Sequence, residues 1–153
     1  MACPLQGIRV FELTHVISGS VAGMLLGDLG AEVIKAERPG VGEFYREEAL
    51  KNEAGISIVF PTYNRNKKGI TLNLKAPEAR EIVHRLVRES DIMLENYRPG
   101  VLDSMGLGYE ALKEINPRLV MVSISGFGQT GPYASKPAYD MTISAISGYM
   151  SMN

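Results

Sequence analysis

The chain has 153 residues, 45% hydrophobic and 22% charged, a composition that suits one globular domain with a sizeable core and excludes a disordered segment. Its formal net charge of -1 provides no general attraction to nucleic acid or to an anionic membrane, so any phosphate binding must be local. Because Cys3 is the single cysteine and no apolar run reaches the roughly 18 residues of a membrane span, we expect a soluble cytoplasmic protein without disulfides.

Short β-branched segments alternate with longer segments of helical period, which is typical of repeated βαβ units. Strands are predicted at residues 8–13, 32–36, 69–74, 92–94 and 119–124, and the apolar character of the last predicts burial on both faces. Helices are predicted from Ser20 as N-cap to Gly30, from Pro77, over residues 109–115, and over 140–150 with Asp140 as cap. Residues 39–68 are predicted to form a long functional loop with one short helix. The fold class is therefore α/β, a Rossmann-like parallel sheet with helices on both faces.

Three of the predicted helices carry apolar residues at the spacing of one helix face. These residues are Val21, Met24, Leu25 and Leu29 in the first helix, Ile82, Val83, Leu86 and Val87 in the second, and Ile143, Ile146 and Met150 in the last. Each set predicts which side of its helix packs against the sheet.

The loops that follow the strands are the candidate binding sites, because ligands of open α/β sheets bind at the carboxyl ends of the strands. The first, residues 14–20, leads into a helix N-terminus, where free N–H groups favour an anion or a carbonyl oxygen. It contains Gly19 without the further glycines of the dinucleotide fingerprint, so NAD is disfavoured. The alternative for Gly19 is a tight turn without a ligand.

Basic residues follow or precede two of the later strands. Arg38 comes after the second strand, where Rossmann enzymes often hold a ribose or its phosphate; the alternative is a surface arginine paired with a carboxylate. Arg65, Lys67 and Lys68 precede the third strand, and Lys75 follows it. These charges predict a compact cationic mouth for the phosphates of a nucleotide, unless they form a solvated face.

Two further loops combine residue types that suit a ligand. Asn96, Tyr97 and Arg98 predict a clamp for a purine or a thin amide-bearing chain; alternatively, Tyr97 covers the core and Arg98 faces water. The loop 125–132 is so glycine-rich that it must approach a ligand closely or move, and we predict a mobile lid. His84, on a predicted helix surface, is a weaker candidate, and no Cys/His cluster has metal-ligand spacing.

Six phrases, in this order, resemble family III CoA-transferases over nearly the full chain. They are Leu5-x-Gly7-Ile8-Arg9-Val10, Leu29-Gly30-Ala31-Glu32-Val33-Ile34-Lys35-x-Glu37, Asn64-Arg65-Asn66-Lys67-Lys68, Glu95-Asn96-Tyr97-Arg98-Pro99-Gly100-Val101, Leu107-Gly108-Tyr109 and Gly126-Phe127-Gly128-Gln129-Thr130-Gly131-Pro132. The resemblance implies that residues 1–153 are the CoA-binding, N-terminal part of a large Rossmann-like domain. It also implies a second domain and a C-terminal return segment outside this chain, and an interlocked homodimer for the full-length protein. We therefore expect the chain by itself to leave apolar surface uncovered and to be inactive.

The resemblance implies coenzyme A or acyl-CoA as substrate, with no metal and no NAD, and it implies the contact residues. The backbone of Val16, Ile17 and Ser18 is expected at the pantetheine or thioester end. The adenosine and phosphate regions are expected at Arg38, Leu72, Asn73, Leu74, Lys75, Asn96, Tyr97 and Arg98. The set is completed by Lys136, Tyr139 and Asp140. Formyl-CoA transferase, a family member, has glutamine at the position of Ile17 and a CoA-contacting arginine at that of Ser104, so formyl transfer is disfavoured here.

The chemistry implied by the resemblance is covalent: an aspartate carboxylate attacks the acyl-CoA, and CoA passes through an aspartyl-CoA thioester to an acceptor carboxylic acid. That aspartate is expected beyond Asn153, and the capping position explains Asp140 without a catalytic role. The α-methylacyl-CoA racemase branch has a histidine where this chain has Tyr139, and a tyrosine of ordinary pKa is a poor base at pH 7. A non-catalytic CoA-binding or interaction fragment stays open as a second function class, and a racemase as a third.

Overall fold

Five parallel strands form one sheet in the order β3-β2-β1-β4-β5. The computed structural model describes residues 3–47 and 50–152. The strands are β1 (Arg9–Leu13), β2 (Glu32–Glu37), β3 (Lys67–Thr71), β4 (Ile92–Glu95) and β5 (Val120–Ser123). The predicted α/β fold with a parallel sheet is confirmed. Because the chain runs outward from β1 to β3 and returns to β4 on the other side of β1, a topological switch point lies between β1 and β4.

Six helices connect or follow the strands in the described part of the chain. They are α1 (Ser18–Asp28), α2 (Val59–Asn64), α3 (Pro77–Arg88), α4 (Val101–Ser104), α5 (Tyr109–Ile115) and α6 (Asp140–Ile146), with short 3-10 turns at Phe44–Arg46 and Tyr149–Met152. The helix predicted over residues 109–115 has those bounds, and the short helix expected within residues 39–68 is α2. Residues 48 and 49 of that loop lie outside the described residues. Over residues 3–47 and 50–152, no helix is long and apolar enough to cross a membrane.

The sheet has an apolar core on each of its two faces. Side chains alternate along β1, so Phe11 and Leu13 point to one face and Val10 to the other. The helix α3 covers the first face with Val83 and Val87, both fully buried as predicted. The helix α1 contributes partly buried apolar residues to the second face.

The helix α1 approaches the sheet mainly through small residues. Of its predicted inward face Met24 is buried, but the two leucines are not. Leu25 and Leu29 are 52% and 46% exposed. Gly19, Ser20 and Gly23 are buried in their place. The periodicity alone favoured the leucines, but charged side chains stand on this part of the sheet, and only small helix residues leave room for them.

The two ends of α1 are determined by different contacts. The helix begins at Ser18 rather than at the predicted cap Ser20, because the Ser20 hydroxyl accepts a hydrogen bond from Lys35 Nζ at 3.2 Å instead of capping. At the other end Gly30 adopts φ +100°, and its N–H donates to the carbonyl of Gly27 at 2.9 Å. The left-handed C-terminal glycine predicted from the sequence is therefore confirmed.

Some predicted inward surfaces are exposed. The strand β5 is an edge strand, and Val120 and Val122 are exposed, so its predicted burial on both faces is wrong. On α3, Ile82 is exposed although the adjacent Val83 is fully buried. The helix α6 ends at Ile146, earlier than predicted, and Ile146 and Met150 are exposed. Periodicity identifies a helix or strand, but a face is buried only where another element covers it.

Three charged side chains are buried between the sheet and α1. Glu12 of β1, Lys35 of β2 and Lys67 of β3 have side chains that are 0%, 1% and 2% exposed. The parallel register pairs Glu12 with Lys35, and Glu12 Oε1 accepts from the Nζ atoms of Lys35 at 2.8 Å and Lys67 at 2.9 Å. Lys67 also donates to the carbonyl of Ser20 in α1 at 2.7 Å. Removal of one partner would leave a buried charge unpaired, at a cost of about 3–5 kcal/mol. This charge cluster therefore holds three strands and α1 together.

Gly23 provides the space that the carboxylate of Glu12 occupies. A Cβ atom at position 23 would lie 1.9 Å from Glu12 Oε2. The carboxylate is not free to swing away, because its other oxygen is held by Lys35, Lys67 and the Thr14 hydroxyl. The requirement for glycine at this helical position therefore comes from packing against a charge.

We predict that Gly23→Ala destabilises the protein by about 2 kcal/mol or more, because the overlap with Glu12 outweighs the roughly 1 kcal/mol that alanine gains in a helix. Urea denaturation measures the change in free energy of unfolding. The control is Gly69→Ala in β3, where the nearest atom to a new Cβ is Glu37 Oε1 at 3.9 Å and little change is expected. A Gly23→Ala protein as stable as the wild type would contradict the packing argument.

Candidate functional site

The loops after β1 and β4 meet at the switch point and are joined by a pair of hydrogen bonds. The Asn96 side chain accepts from His15 N at 2.9 Å and donates to His15 O at 2.8 Å. The His15 ring packs edge-on against Tyr97, with ring centroids 5.4 Å apart. Asn96 and Tyr97, predicted as a ligand clamp, are thus brought together with the first loop, and the Asn96 amide holds that loop's backbone.

Two aromatic groups at this junction have shifted pKa values. Burial lowers the pKa of His15 below its ordinary value although the residue as a whole is exposed, and the charge of Lys35 lowers it further. Burial raises the pKa of Tyr97, while the charge of Arg38 acts in the opposite direction. Since the Arg38 charge also lowers the pKa of His15, Arg38 lies near enough to influence both rings. A neutral imidazole beside a cationic group follows from this arrangement.

Val16 has a strained backbone within the first loop. Its φ is +62°, and for a β-branched residue the left-handed region costs about 1–3 kcal/mol. The N–H of Val16 donates to Glu43 Oε1 at 2.6 Å, and Glu43 lies in the loop after β2. The following residues, Ile17 and Ser18, are exposed at the start of α1. The strained turn therefore directs these two predicted contact residues outward.

The buried charge cluster supports the same loop from below. Lys35 Nζ donates to the carbonyl of Thr14 at 2.8 Å and contacts the Thr14 hydroxyl at 3.1 Å. None of the residues Glu12, Lys35 and Glu43 is among the predicted site residues. A signal was present for the first two, since each is a lone charge inside an apolar strand segment, but their pairing depends on the register. Glu43 stands in an irregular loop, where no periodicity marks a buried residue.

Arg38 borders a cavity of about 460 Å³ between the loop after β2 and the strand β3. The walls include Glu37, Arg38, Arg46 and Thr71. Glu37 is held by the fork of Arg46, with N–O distances of 2.6 and 2.7 Å. Arg38 is exposed, and it makes no ion pair with any of the described residues.

The strand β3 begins at Lys67 rather than at the predicted residue 69, and the basic residues at and just before its start do not form the predicted cationic mouth. Arg65 pairs with Asp28 at 2.5 Å, Lys68 pairs with Glu32 at 2.5 Å, and Lys67 is buried in the charge cluster. Lys75 follows β3, at the other end of that strand. The prediction failed because residues close to one strand in sequence were assumed to lie at the same end of it.

The segment after β3 presents backbone and one exposed lysine at the carboxyl edge of the sheet. Leu72 is buried, and Leu74 packs against the same core. Asn73 Oδ1 accepts from Lys75 N at 3.2 Å, and the Lys75 side chain is exposed. Of the four predicted contact residues here, the buried Leu72 can therefore reach a ligand only with its backbone.

A smaller cavity of about 200 Å³ lies beside the loop after β4. Arg98 and Gln129 line it together with Glu95, which is buried at the end of β4. Burial raises the pKa of Glu95, and the N–H of Tyr97 donates to its carboxylate at 2.8 Å. Arg98 is exposed, so its guanidinium is available at this edge.

The last predicted contact residues lie on the exposed segment before α6. Lys136 Nζ lies 4.0 Å from the centre of the Tyr133 ring, and Tyr139 is exposed. Tyr139 occupies the capping position, and Asp140 is the first helical residue without a side-chain capping bond, so its prediction as cap is wrong. In the glycine-rich loop, a Cβ on Gly126 would lie 2.2 Å from Ala138 Cβ, so this glycine approaches the protein itself.

Comparisons with known proteins agree over nearly the whole chain. The family model for CoA-transferase family III matches residues 5–153. Human succinyl-CoA:glutarate CoA-transferase is 46% identical over 147 residues, which cover 96% of this chain and 34% of the human protein. Formyl-CoA:oxalate CoA-transferase of Escherichia coli is 43% identical over 148 residues, which cover 97% of this chain and 36% of that protein.

A solved structure shows the same fold. The crystal structure of a CaiB/BaiF family protein from Brucella suis matches with a TM-score of 0.90 and 44% identity, over 98% of this chain and 40% of that one. The chain spans about a third of the length of the curated relatives named above.

The charge cluster beneath the first loop generates a pH prediction. Burial lowers the pKa of Lys67 to about 8, opposed by the attraction of Glu12. The unfolded chain keeps this proton up to an ordinary lysine pKa near 10.5, so between these values the unfolded state binds more protons. We expect the Lys67 contribution to the free energy of unfolding to rise as the pH increases from about 8 toward 10.

Urea denaturation of the wild type and Lys67→Met at several pH values in this range measures that contribution as a difference. The matched control is Lys67→Arg, whose guanidinium stays charged throughout, so the upward slope should vanish. If the free energy of unfolding of the wild type changes with pH in parallel with that of both variants, Lys67 does not lose its proton in the folded protein.

Proposed function

Because the chain belongs to CoA-transferase family III, we propose that it provides the CoA-binding part of an enzyme that moves CoA from an acyl-CoA thioester to a carboxylic acid. The relatives support this proposal, since the human and Escherichia coli proteins are both named as CoA-transferases.

The observation that carries the proposal is the junction of two strand-end loops at the switch point. Asn96 joins the loop after β4 to His15 in the loop after β1, and the charge of Arg38 lowers the pKa of both His15 and Tyr97. In open α/β sheets this crevice is where an extended nucleotide ligand binds. An anionic ligand is favoured here, because a helix N-terminus and two exposed cations, Arg38 and Lys75, lie at the same edge.

We assign the ends of CoA to opposite parts of this edge. The exposed Ile17 and Ser18, with the backbone of Val16, meet the pantetheine or thioester end. Arg38 and Lys75 meet the phosphates. An apolar side chain at position 17 gives the acyl end a less polar surface than a glutamine would.

Further residues complete the assignment. The backbone of Leu72, Asn73 and Leu74, with Tyr97 and Arg98, contacts the adenosine region. Lys136, Tyr139 and Asp140 contact the ligand from the other side.

The transfer itself is proposed to use an aspartate beyond Asn153. Its carboxylate oxygen attacks the thioester carbonyl, and the C–S bond breaks. CoA leaves as the thiolate, and the acyl group stays on the aspartate as a mixed anhydride. The thiolate then attacks the aspartyl carbonyl, releases the first acid and forms an aspartyl-CoA thioester. The acceptor carboxylate repeats these steps in reverse. Covalent catalysis thereby conserves the energy of the thioester while the acids exchange.

We predict that Arg38→Ala and Lys75→Ala each weaken binding of CoA to the chain about tenfold, since each loses an ionic contact to phosphate. Isothermal titration calorimetry measures the dissociation constants. Arg118→Ala is the matched control, because Arg118 is exposed and precedes β5, at the opposite edge of the sheet. Unchanged affinity in both variants would remove the proposed phosphate contacts.

A second experiment separates CoA binding from the covalent step. The chain is incubated with an acyl-CoA and hydroxylamine, which traps an acylated carboxylate as a hydroxamate, and peptides are analysed by mass spectrometry. We expect no modified aspartate within residues 1–153, and a modified aspartate beyond Asn153 when the same treatment is given to a longer polypeptide. A hydroxamate on Asp140, or on any other aspartate of the chain, would place the nucleophile here instead.

A further inference from the structure

The loop between β1 and α1 holds a conformation that its own residues do not favour. Val16 and Asn66 are the two non-glycine residues with positive φ among those described. Asparagine is tolerated in this region, whereas a β-branched valine is not. The conformation of Val16 must therefore be held by contacts from outside the loop.

The side chain that reaches Val16 directly is Glu43. Its Oε1 accepts the N–H of Val16 at 2.6 Å, and the residue is only 3% exposed. A hydrogen bond to a buried carboxylate is among the stronger kinds, because the acceptor is charged and little water competes for the donor. Asn96 holds the preceding residue, His15, at both its N–H and its carbonyl.

Glu43 is itself fixed by two further contacts. Its Oε2 accepts from Tyr45 N at 2.8 Å, so it caps the short turn that follows. Its own N–H donates to Glu37 Oε2 at 2.8 Å, and Glu37 is gripped by Arg46 at the end of β2. The carboxylate that meets Val16 is thus anchored through the backbone to the strand next to β1, and it has little freedom to follow the loop if the loop moves.

We infer that Glu43 is a positioning residue for the acyl end of the substrate. By holding Val16 in the left-handed conformation, it determines where Ile17 and Ser18 stand at the start of α1. This inference rests on the function proposed above, in which these two residues meet the thioester. Glu43 is buried behind the loop and meets it at Val16, so we expect its loss to affect the thioester end of the ligand and to leave the nucleotide end unchanged.

The test compares Glu43→Ala with Glu43→Gln, which keeps one acceptor oxygen for Val16. Amide hydrogen exchange followed by NMR reports on the loop without any ligand. In Glu43→Ala the Val16 amide should exchange at least about tenfold faster than in the wild type, whereas the exchange rate of the Phe11 amide in β1 should not change. In Glu43→Gln the exchange rate of the Val16 amide should lie between those of Glu43→Ala and the wild type. The control is Glu89→Ala, which removes an exposed carboxylate paired with Arg9 at the other edge of the sheet.

Ligand titration then uses two probes on the same proteins. Acetyl-CoA carries both ends of the substrate, and adenosine 3′,5′-bisphosphate carries the nucleotide end alone. We expect Glu43→Ala to raise the dissociation constant of acetyl-CoA roughly tenfold and to leave that of the bisphosphate within about twofold of the wild type. Glu43→Gln should recover part of the lost affinity for acetyl-CoA. A merely destabilising change would weaken both probes together.

Several outcomes would overturn the inference. One is a parallel loss of affinity for both probes, and another is unchanged affinity for both in Glu43→Ala. If that variant does not fold, the wild type still decides, since a Val16 amide that exchanges at an unprotected rate is not held by Glu43. If the wild type binds neither probe, the proposed function fails, while the exchange data still show whether Glu43 holds the loop.

Discussion

The buried contact between Glu12 and the two lysines, Lys35 and Lys67, is the constraint on which the rest of the structure depends. It joins β1, β2 and β3 at one place, and it requires a glycine in α1 directly above the carboxylate. Burial lowers the pKa of Lys67 to about 8 against the attraction of Glu12, and the nearby positive charge of Lys35 acts in the same direction as burial. Lys35 also holds Thr14, so the interaction that assembles the sheet supports the first strand-end loop as well.

The loop after β1, at the carboxyl edge of the sheet, is held in place by contacts within the protein. Carboxylate and amide side chains from neighbouring loops and from the end of β4 accept hydrogen bonds from its backbone and from that of the loop after β4: Glu43 from Val16, Asn96 from His15 and Glu95 from Tyr97. Groups that are satisfied in this way do not need to rearrange when a substrate arrives, which lowers the entropy that binding must overcome. Arg38 and Lys75 are exposed at the same edge, and the proposed function assigns them to the phosphates of CoA.

Sequence reasoning succeeded where a local rule operates and failed where contacts between distant residues decide. The terminating glycine of α1, the bounds of α5 and the parallel sheet follow from turn chemistry and periodicity. The leucine face of α1 was wrong, because the sheet beneath it carries charges rather than apolar groups. The cationic mouth was wrong as well, since Arg65 and Lys68 are paired with carboxylates, and Lys75 stands at the other end of β3. In each case the sequence does not show which residues of the chain the fold brings together.

The sequence by itself determined the fold class, the family and the strand-end loops that form the candidate site, because these follow from short-range patterns and ordered motifs. Only the tertiary structure decided which charges are buried and which are free. The pairing of Glu12 with Lys35 needs the register of two strands, and the contact of Glu43 with Val16 needs the packing of two loops 27 residues apart. Such contacts leave no periodic trace in the sequence, since their free energy comes from burial and from a partner whose position the fold alone provides.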